Sequence, residues 1–273
     1  DNATQGGPSR TDDASGIANA DWFVTIFADG YQPRVDPTNP DIVYAEWQNG
    51  NLVRYDRKTG ENVHIQPQPR PGEGAERWNW DAPVIISPHD PARLYYGSHR
   101  VWRSDDRGDS WTPISGDLTR NVDRLRKPVM GRQWSDLGVW DLIAMSDYST
   151  LSALSESPLV DGLVYAGSDD GLLSVTEDGG ESWRRIELSE LPDAPERPFV
   201  NDVLADRHDP DRVYLVLDNH KEGDYAPYLY RSDDRGRGWR SIRGDLPDRH
   251  VLWSVVQDRS EEHTSELQSP SAI

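Results

Sequence analysis

Three aspartates, Asp81, Asp141 and Asp202, stand beside apolar runs of strand length, and the first two are each preceded by a tryptophan, Trp80 and Trp140. Carboxylates that converge on a polarised C–O bond can act as general acid and base, or as acid and nucleophile. A neighbouring indole can offer a flat face to a ring-shaped ligand. The same residues have an ordinary structural use, because an Asp at a strand start caps local backbone N–H groups and a repeated Trp packs between sheets. Convergence requires that the runs opened by these aspartates be the innermost strands of a circular array, so the surrounding elements decide whether such chemistry exists.

Other chemistries find less support. The chain has no Cys, which excludes disulfides, thiolate metal sites and cysteine nucleophiles. Its seven His include no His-x-His or His-x-x-x-His pairing, and His89 and His208 both lie in a His-Asp-Pro turn, where a turn role is expected rather than zinc binding. No nucleophile-elbow, Walker or dinucleotide-binding motif occurs. The acidic turns Ser168-Asp169-Asp170-Gly171 and Ser104-Asp105-Asp106 lack the ligand spacing of a calcium loop and read as solvated turns. No cofactor and no metal is expected. With 29 basic against 48 acidic residues, the net charge of −19 repels phosphate backbones, so nucleic acid is not an expected partner. No stretch approaches the roughly 18 apolar residues of a membrane span.

The organising signal is a repeat. Ser104 to Trp111, Thr176 to Trp183 and Ser232 to Trp239 all read Ser/Thr-x-Asp-x-Gly-x-x-Trp, here called the octad. Its key residues are Ser104, Asp106, Gly108 and Trp111; Thr176, Asp178, Gly180 and Trp183; and Ser232, Asp234, Gly236 and Trp239. In a hairpin turn the Asp carboxylate can accept backbone N–H groups, while the Gly two positions later can take positive φ. The Trp then begins the next strand with a large packing surface. Upstream of the octads, a Pro turn leads to an apolar-Tyr pair four times, at Val43-Tyr44, Leu94-Tyr95, Val164-Tyr165 and Val213-Tyr214. Short-turn chemistry follows at Asn49-Gly50, Gly97-Ser98 and Asp170-Gly171. The fourth unit lengthens this turn to 219–227, a surface excursion.

Apolar runs at 84–86, 142–145 and 200–204 supply opening strands. A unit is thus four antiparallel strands repeating at about 50–70 residues, which is the signature of β-propeller blades. The expected fold is all-β, an incomplete propeller within 1–259. Its blades lie near 1–65, 66–120, 130–190 and 197–247, and a fifth begins at 251. The first unit is degenerate, since Asp56 and Gly60 lack the octad spacing and no Trp follows. The locally basic segment 120–136 reads as a long inter-blade loop. Residues 260–273, almost without apolar content, are expected to be disordered, and they resemble translated sequencing-adapter read-through.

The octads resemble Asp-box, or BNR, repeats, and the chain is similar to the sortilin N-terminal-like and glycosyl-hydrolase-like Asp-box propellers of bacteria. The likeness runs from Asp1-Asn2 through 19–23, 48–52, 80–83 and the octads to Asp258. It implies an exported, extracellular or periplasmic protein that is longer than this chain. It further implies either a scaffold binding a polysaccharide, peptide or protein ligand, or a glycoside hydrolase using paired carboxylates at the propeller channel. Asp81, Asp141 and Asp202 are the candidates for that second role.

Overall fold

A computed structural model describes residues 2–128, 131–133, 135, 146–258 and the strand backbone of 265–268. It is all-β, with short 3-10 turns as the only helical elements among these residues. Strands β1 (Thr4–Gly6) and β2 (Phe23–Ile26) form an antiparallel ribbon. Four four-stranded sheets follow, each an up-and-down meander of consecutive strands. The first contains β3 (Tyr31–Val35), β4 (Ile42–Trp47), β5 (Asn51–Asp56) and β6 (Asn62–His64). The second has β7 (Val84–Ile86), β8 (Leu94–Gly97), β9 (Val101–Ser104) and β10 (Thr112–Pro113). The third has β11 (Leu151–Glu156), β12 (Val164–Ser168), β13 (Leu172–Thr176) and β14 (Arg184–Glu187). The fourth has β15 (Phe199–Ala205), β16 (Val213–Asn219), β17 (Asp224–Ser232) and β18 (Arg240–Ser241). Finally β19 (Ser254–Gln257) pairs with β20 (Ser265–Gln268), the one described part of the segment read as a tail.

The central strands are apolar at consecutive positions because both faces of each sheet are covered. Along β8, Leu94 and Tyr96 point into a core shared with the first sheet, whereas Tyr95 points into one shared with the third. Along β12, Val164 and Ala166 face the second sheet and Tyr165 faces the fourth. Along β16, Val213, Leu215 and Leu217 face the third sheet, while Tyr214 and Val216 meet Leu252 and Val255 at β19. This two-residue alternation between successive cores is how stacked blades bury both faces of a sheet. It gives the expected propeller architecture.

The third blade corrects one expectation. Its opening strand is β11 at 151–156, not the apolar run 142–145, which lies outside the described residues. The reason is polar stitching between inner strands. Ser152 Oγ donates to the Val200 carbonyl at 2.7 Å, and Ser155 Oγ accepts the Ala205 N–H at 3.0 Å. Two serines therefore do at this interface what apolar side chains do elsewhere, and hydrophobicity alone does not reveal the strand. The second blade's tight turn likewise sits at Ser98–Arg100, one position beyond the expected Gly97-Ser98, with Ser98 N–H bonded to the Arg100 carbonyl.

Each octad closes on itself. In the second copy, Thr176 Oγ1 donates to Asp178 Oδ1 at 2.7 Å, Ser182 N–H donates to the same oxygen at 2.9 Å, and Gly180 N–H donates to Thr176 Oγ1 at 2.9 Å. The first and third repeat this arrangement through Ser104 with Asp106 and Ser232 with Asp234. The octad also reaches across to the preceding blade. Gly108, Gly180 and Gly236 lie against Ile65, Ile114 and Ile186, all at or just beyond the last strand of the blade before. Trp111 Nε1–H donates to the Ile65 carbonyl at 2.7 Å, and Trp183 Nε1–H to that of Ile114 at 2.9 Å. Trp239 differs, donating to Gly236 in its own turn at 3.2 Å. In the first blade, the Asp56 carboxylate caps its turn by accepting Lys58 N–H at 2.8 Å, with Gly60 at φ 75° and no tryptophan clasp.

Candidate functional site

In an up-and-down meander, the turns alternate between two ends of the blade. The first-to-second strand turns and the octads share one end. The second-to-third strand turns and the connectors into the next blade share the other. A cleft of about 520 Å³ opens at this connector end. Trp80 and Asn79 reach it from the first connector, Arg124, Lys127 and Tyr148 from the second, and Arg197 from the third. The hairpin turns of the third and fourth blades supply Asp169 and the run Asp218 to Glu222.

One buried acid of the cleft is Asp169. Burial pushes its carboxyl up to about 7, against hydrogen bonds from Thr150 that pull it down, while the neighbouring Asp170 raises it further. Its oxygens accept Thr150 N–H at 2.9 Å and Thr150 Oγ1–H at 2.7 Å. Asp170 turns away into the blade, taking Ser168 Oγ–H at 2.6 Å and Arg120 N–H at 2.8 Å. Both carboxylates of this acidic turn are thereby engaged, and among the described residues no group of three or more His, Cys, Asp or Glu is arranged to hold a metal ion.

Across the cleft, Asp218 is buried, accepts the His220 N–H at 2.9 Å and is paired with His220 Nδ1. The His220 ring in turn packs on Trp253, with centroids 5.8 Å apart. Lys221 Nζ lies 4.7 Å from the centre of the Phe199 ring, and Lys127 Nζ lies 3.7 Å from that of Tyr148. Burial lowers the basicity of Lys127, and the positive charge of Arg197 lowers it further. Burial also pushes the Tyr148 phenol up to about 12, helped by the fields of Asp169 and Asp170. The cleft therefore combines aromatic faces, cations on those faces, a carboxylic acid that titrates near neutrality and a His–Asp pair. Such a set can bind a polar ring-bearing ligand and move a proton.

The sequence-nominated aspartates have a different setting. Neither Asp81 nor Asp202 lines the cleft, and Asp141 and Trp140 lie outside the described residues. Asp81 precedes β7 as expected, but Asp202 sits inside β15, at a bulge after Val200, and not at the strand start. The two do share a neighbour. The half-buried Arg34 of β3 is made less basic by burial, and the carboxylates of Asp81, Asp202 and Glu46 oppose that loss. Burial raises Asp81 above the usual carboxylate range and Asp202 to about 6. Asp202 Oδ2 accepts the Val255 N–H at 3.0 Å, tying β15 to β19. Glu46, fully buried and pushed well up by burial, accepts Tyr96 Oη–H at 2.7 Å and Ala82 N–H at 2.8 Å. Trp80 connects this cluster to the cleft, because its Nε1–H donates to Tyr31 Oη at 3.0 Å.

Sequence reasoning missed Lys127, Tyr148, Asp169, Arg197, Asp218 and His220 as a set. The available signals were the unusually long 219–227 turn and the locally basic connector; both contribute to the cleft.

No protein-family profile matches the chain. No curated protein matches it either. Solved structures do resemble it. The GH74 enzyme of Niastella koreensis superposes with a TM-score of 0.50 at 12% identity, over 84% of this chain and 32% of that enzyme. The extracellular domain of BT4673, described as a one-component system of B. thetaiotaomicron, gives 0.53 at 14% identity over 88% of this chain and 26% of that one. The Dos1 propeller gives 0.52 at 12% identity over 85% of this chain and 53% of that one. The chain thus spans about a quarter to a half of the length of these structures, and at such identities the likeness establishes the β-propeller fold alone.

Proposed function

We propose that this chain is part of an exported Asp-box propeller whose connector face binds a glycan or protein ligand, with the cleft between the second, third and fourth blades as its seat. The carrying observation is the composition of that cleft. Trp80, Tyr148 and Phe199 line it together with charged side chains, and it lies at the end of the blades opposite the octads. Ligand chemistry and blade clasping are thereby separated. Export accords with the resemblance to an extracellular domain. The test is a glycan array and pull-down with the intact chain and with Trp80→Ala. Retention of a ligand without turnover, weakened by the substitution, supports a binding scaffold; equal retention by both proteins removes the cleft from consideration.

A second reading, glycoside hydrolysis, is favoured by Asp169. A carboxyl held near 7 in a cleft can stay protonated long enough to donate to a leaving oxygen. The resemblance to a GH74 enzyme accords with this reading. Release of new reducing ends by the chain, abolished in Asp169→Asn, would favour hydrolysis over simple binding.

A further inference from the structure

Beside the main cleft, and continuous with it, a recess of about 410 Å³ is lined by Lys127, Tyr148, Glu196, Arg197, Asn219 and Glu222. Two cations face it from different connectors. Lys127 rests on the Tyr148 ring, and no ion pair holds it among the described residues. Among the described residues, the one ion pair of Arg197 is a loose one, 3.6 Å to the exposed Glu196 beside it in the chain. Neither positive charge is fully compensated in a molecule whose net charge is −19. Burial lowers the basicity of Lys127, and the charge of Arg197 adds to that loss against the opposing fields of Glu222, Asp169 and Asp170. An anion between the two cations would relieve their repulsion and receive charge-assisted hydrogen bonds from both.

The rest of the wall narrows the class of ligand. Asp169, Asp218 and Glu222 add acceptor oxygens, which the many hydroxyl donors of a sugar can meet and the acceptor-only side chains of an acidic peptide cannot. Trp80 and Phe199 add ring faces of the kind on which pyranose rings stack. We propose that the cleft takes an acidic glycan, with a uronate carboxylate seated between Lys127 and Arg197 and neighbouring sugar hydroxyls meeting the acidic wall. This inference rests on the reading of the cleft as a ligand site and specifies what enters it.

The experiment is calorimetric titration of the full chain with tetragalacturonate, with tetragalactose as its uncharged counterpart, and with hexaglutamate. Tetragalacturonate should bind at least about tenfold more tightly than tetragalactose, and that advantage should shrink as salt is raised. Lys127→Gln and Arg197→Gln should each weaken the acidic tetrasaccharide by about tenfold and so remove most of its advantage over the neutral one. Equal affinity for the two tetrasaccharides would overturn the anion subsite and leave the cleft as a sugar site. Binding of neither would overturn both. Hexaglutamate binding as tightly as tetragalacturonate, with the same dependence on Lys127 and Arg197, would overturn the assignment to a glycan.

Discussion

Replacing Gly180 by alanine should destabilise the protein far more than the same change one residue earlier at Gly179. Both glycines have positive φ, 72° at Gly179 and 103° at Gly180. At Gly179 an added Cβ meets nothing within 4 Å, so only the left-handed backbone matters, at about 1–2 kcal/mol for an L-residue. The other octads carry Arg107 and Arg235 at this place, at φ 59° and 57°, so a side chain is tolerated there. At Gly180 the new Cβ would lie 2.7 Å from the Ile114 carbonyl oxygen and 2.8 Å from Ile114 Cβ. Backbone of the preceding blade cannot swing aside as a flexible side chain can, and such overpacking adds about 1–3 kcal/mol. Gly180→Ala should therefore cost about 2–5 kcal/mol in all, which for a chain of this size lowers Tm by about 5–15 °C. Gly179→Ala should lower it by no more than a few degrees. Thermal melts followed by circular dichroism, with urea titrations as a second measure, provide the comparison. Equal losses for the two variants would refute the idea that the octad glycine is fixed by contact with the blade before it.

Two further predictions concern protons. Hydrogen bonds from Ser182 and Thr176 hold the Asp178 carboxyl down to about 2, so its contribution to stability is present above the unfolded value near 4 and lost as pH falls toward 2. A carboxyl resonance for Asp178 titrating near 4 by NMR would show that the turn does not grip it. Asp169 has the opposite sign. Burial raises it to about 7, the folded state holds a proton that the unfolded state releases near 4, and stability should fall as pH rises from about 4 to 7. Asp169→Asn should flatten that decline in urea midpoints measured across the range, and an unaltered slope would remove Asp169 as its source.

The blade architecture was legible in the sequence because its signals are local. An octad holds an acceptor, a donor and a glycine within eight residues, and the Tyr-bearing strands are continuous apolar runs because two neighbours cover them. What escaped notice depends on contacts between distant segments. β11 alternates Leu and Ala with Ser152 and Ser155, whose hydroxyls bond the adjacent blade, so its hydrophobic signal is weak while its pairing is firm. The partners of the octads, Ile65, Ile114 and Ile186, lie about 40–70 residues before the glycines they touch. The cleft was harder still. Its polar residues come from three connectors and two hairpins, and no spacing rule links Lys127 to Arg197 or Asp169 to Asp218. Asp81 and Asp202 were chosen by their position along a presumed strand, yet a bulge carries Asp202 into mid-strand, where it secures β19.

The octad grip has a direction: each of these turns fastens onto the blade that precedes it. Coupling of this kind passes from one neighbour to the next, as along a row of dominoes, and cooperativity then depends on individual links more than on a common centre. A weakened link at Gly180 would divide the row between the second and third blades, so hydrogen exchange would accelerate first in the strands flanking that seam and only later in the fourth blade. The cleft stands at the opposite end of the blades, so substitutions of its lining side chains leave the octad links untouched, and ligand preference is free to change while the row stays joined.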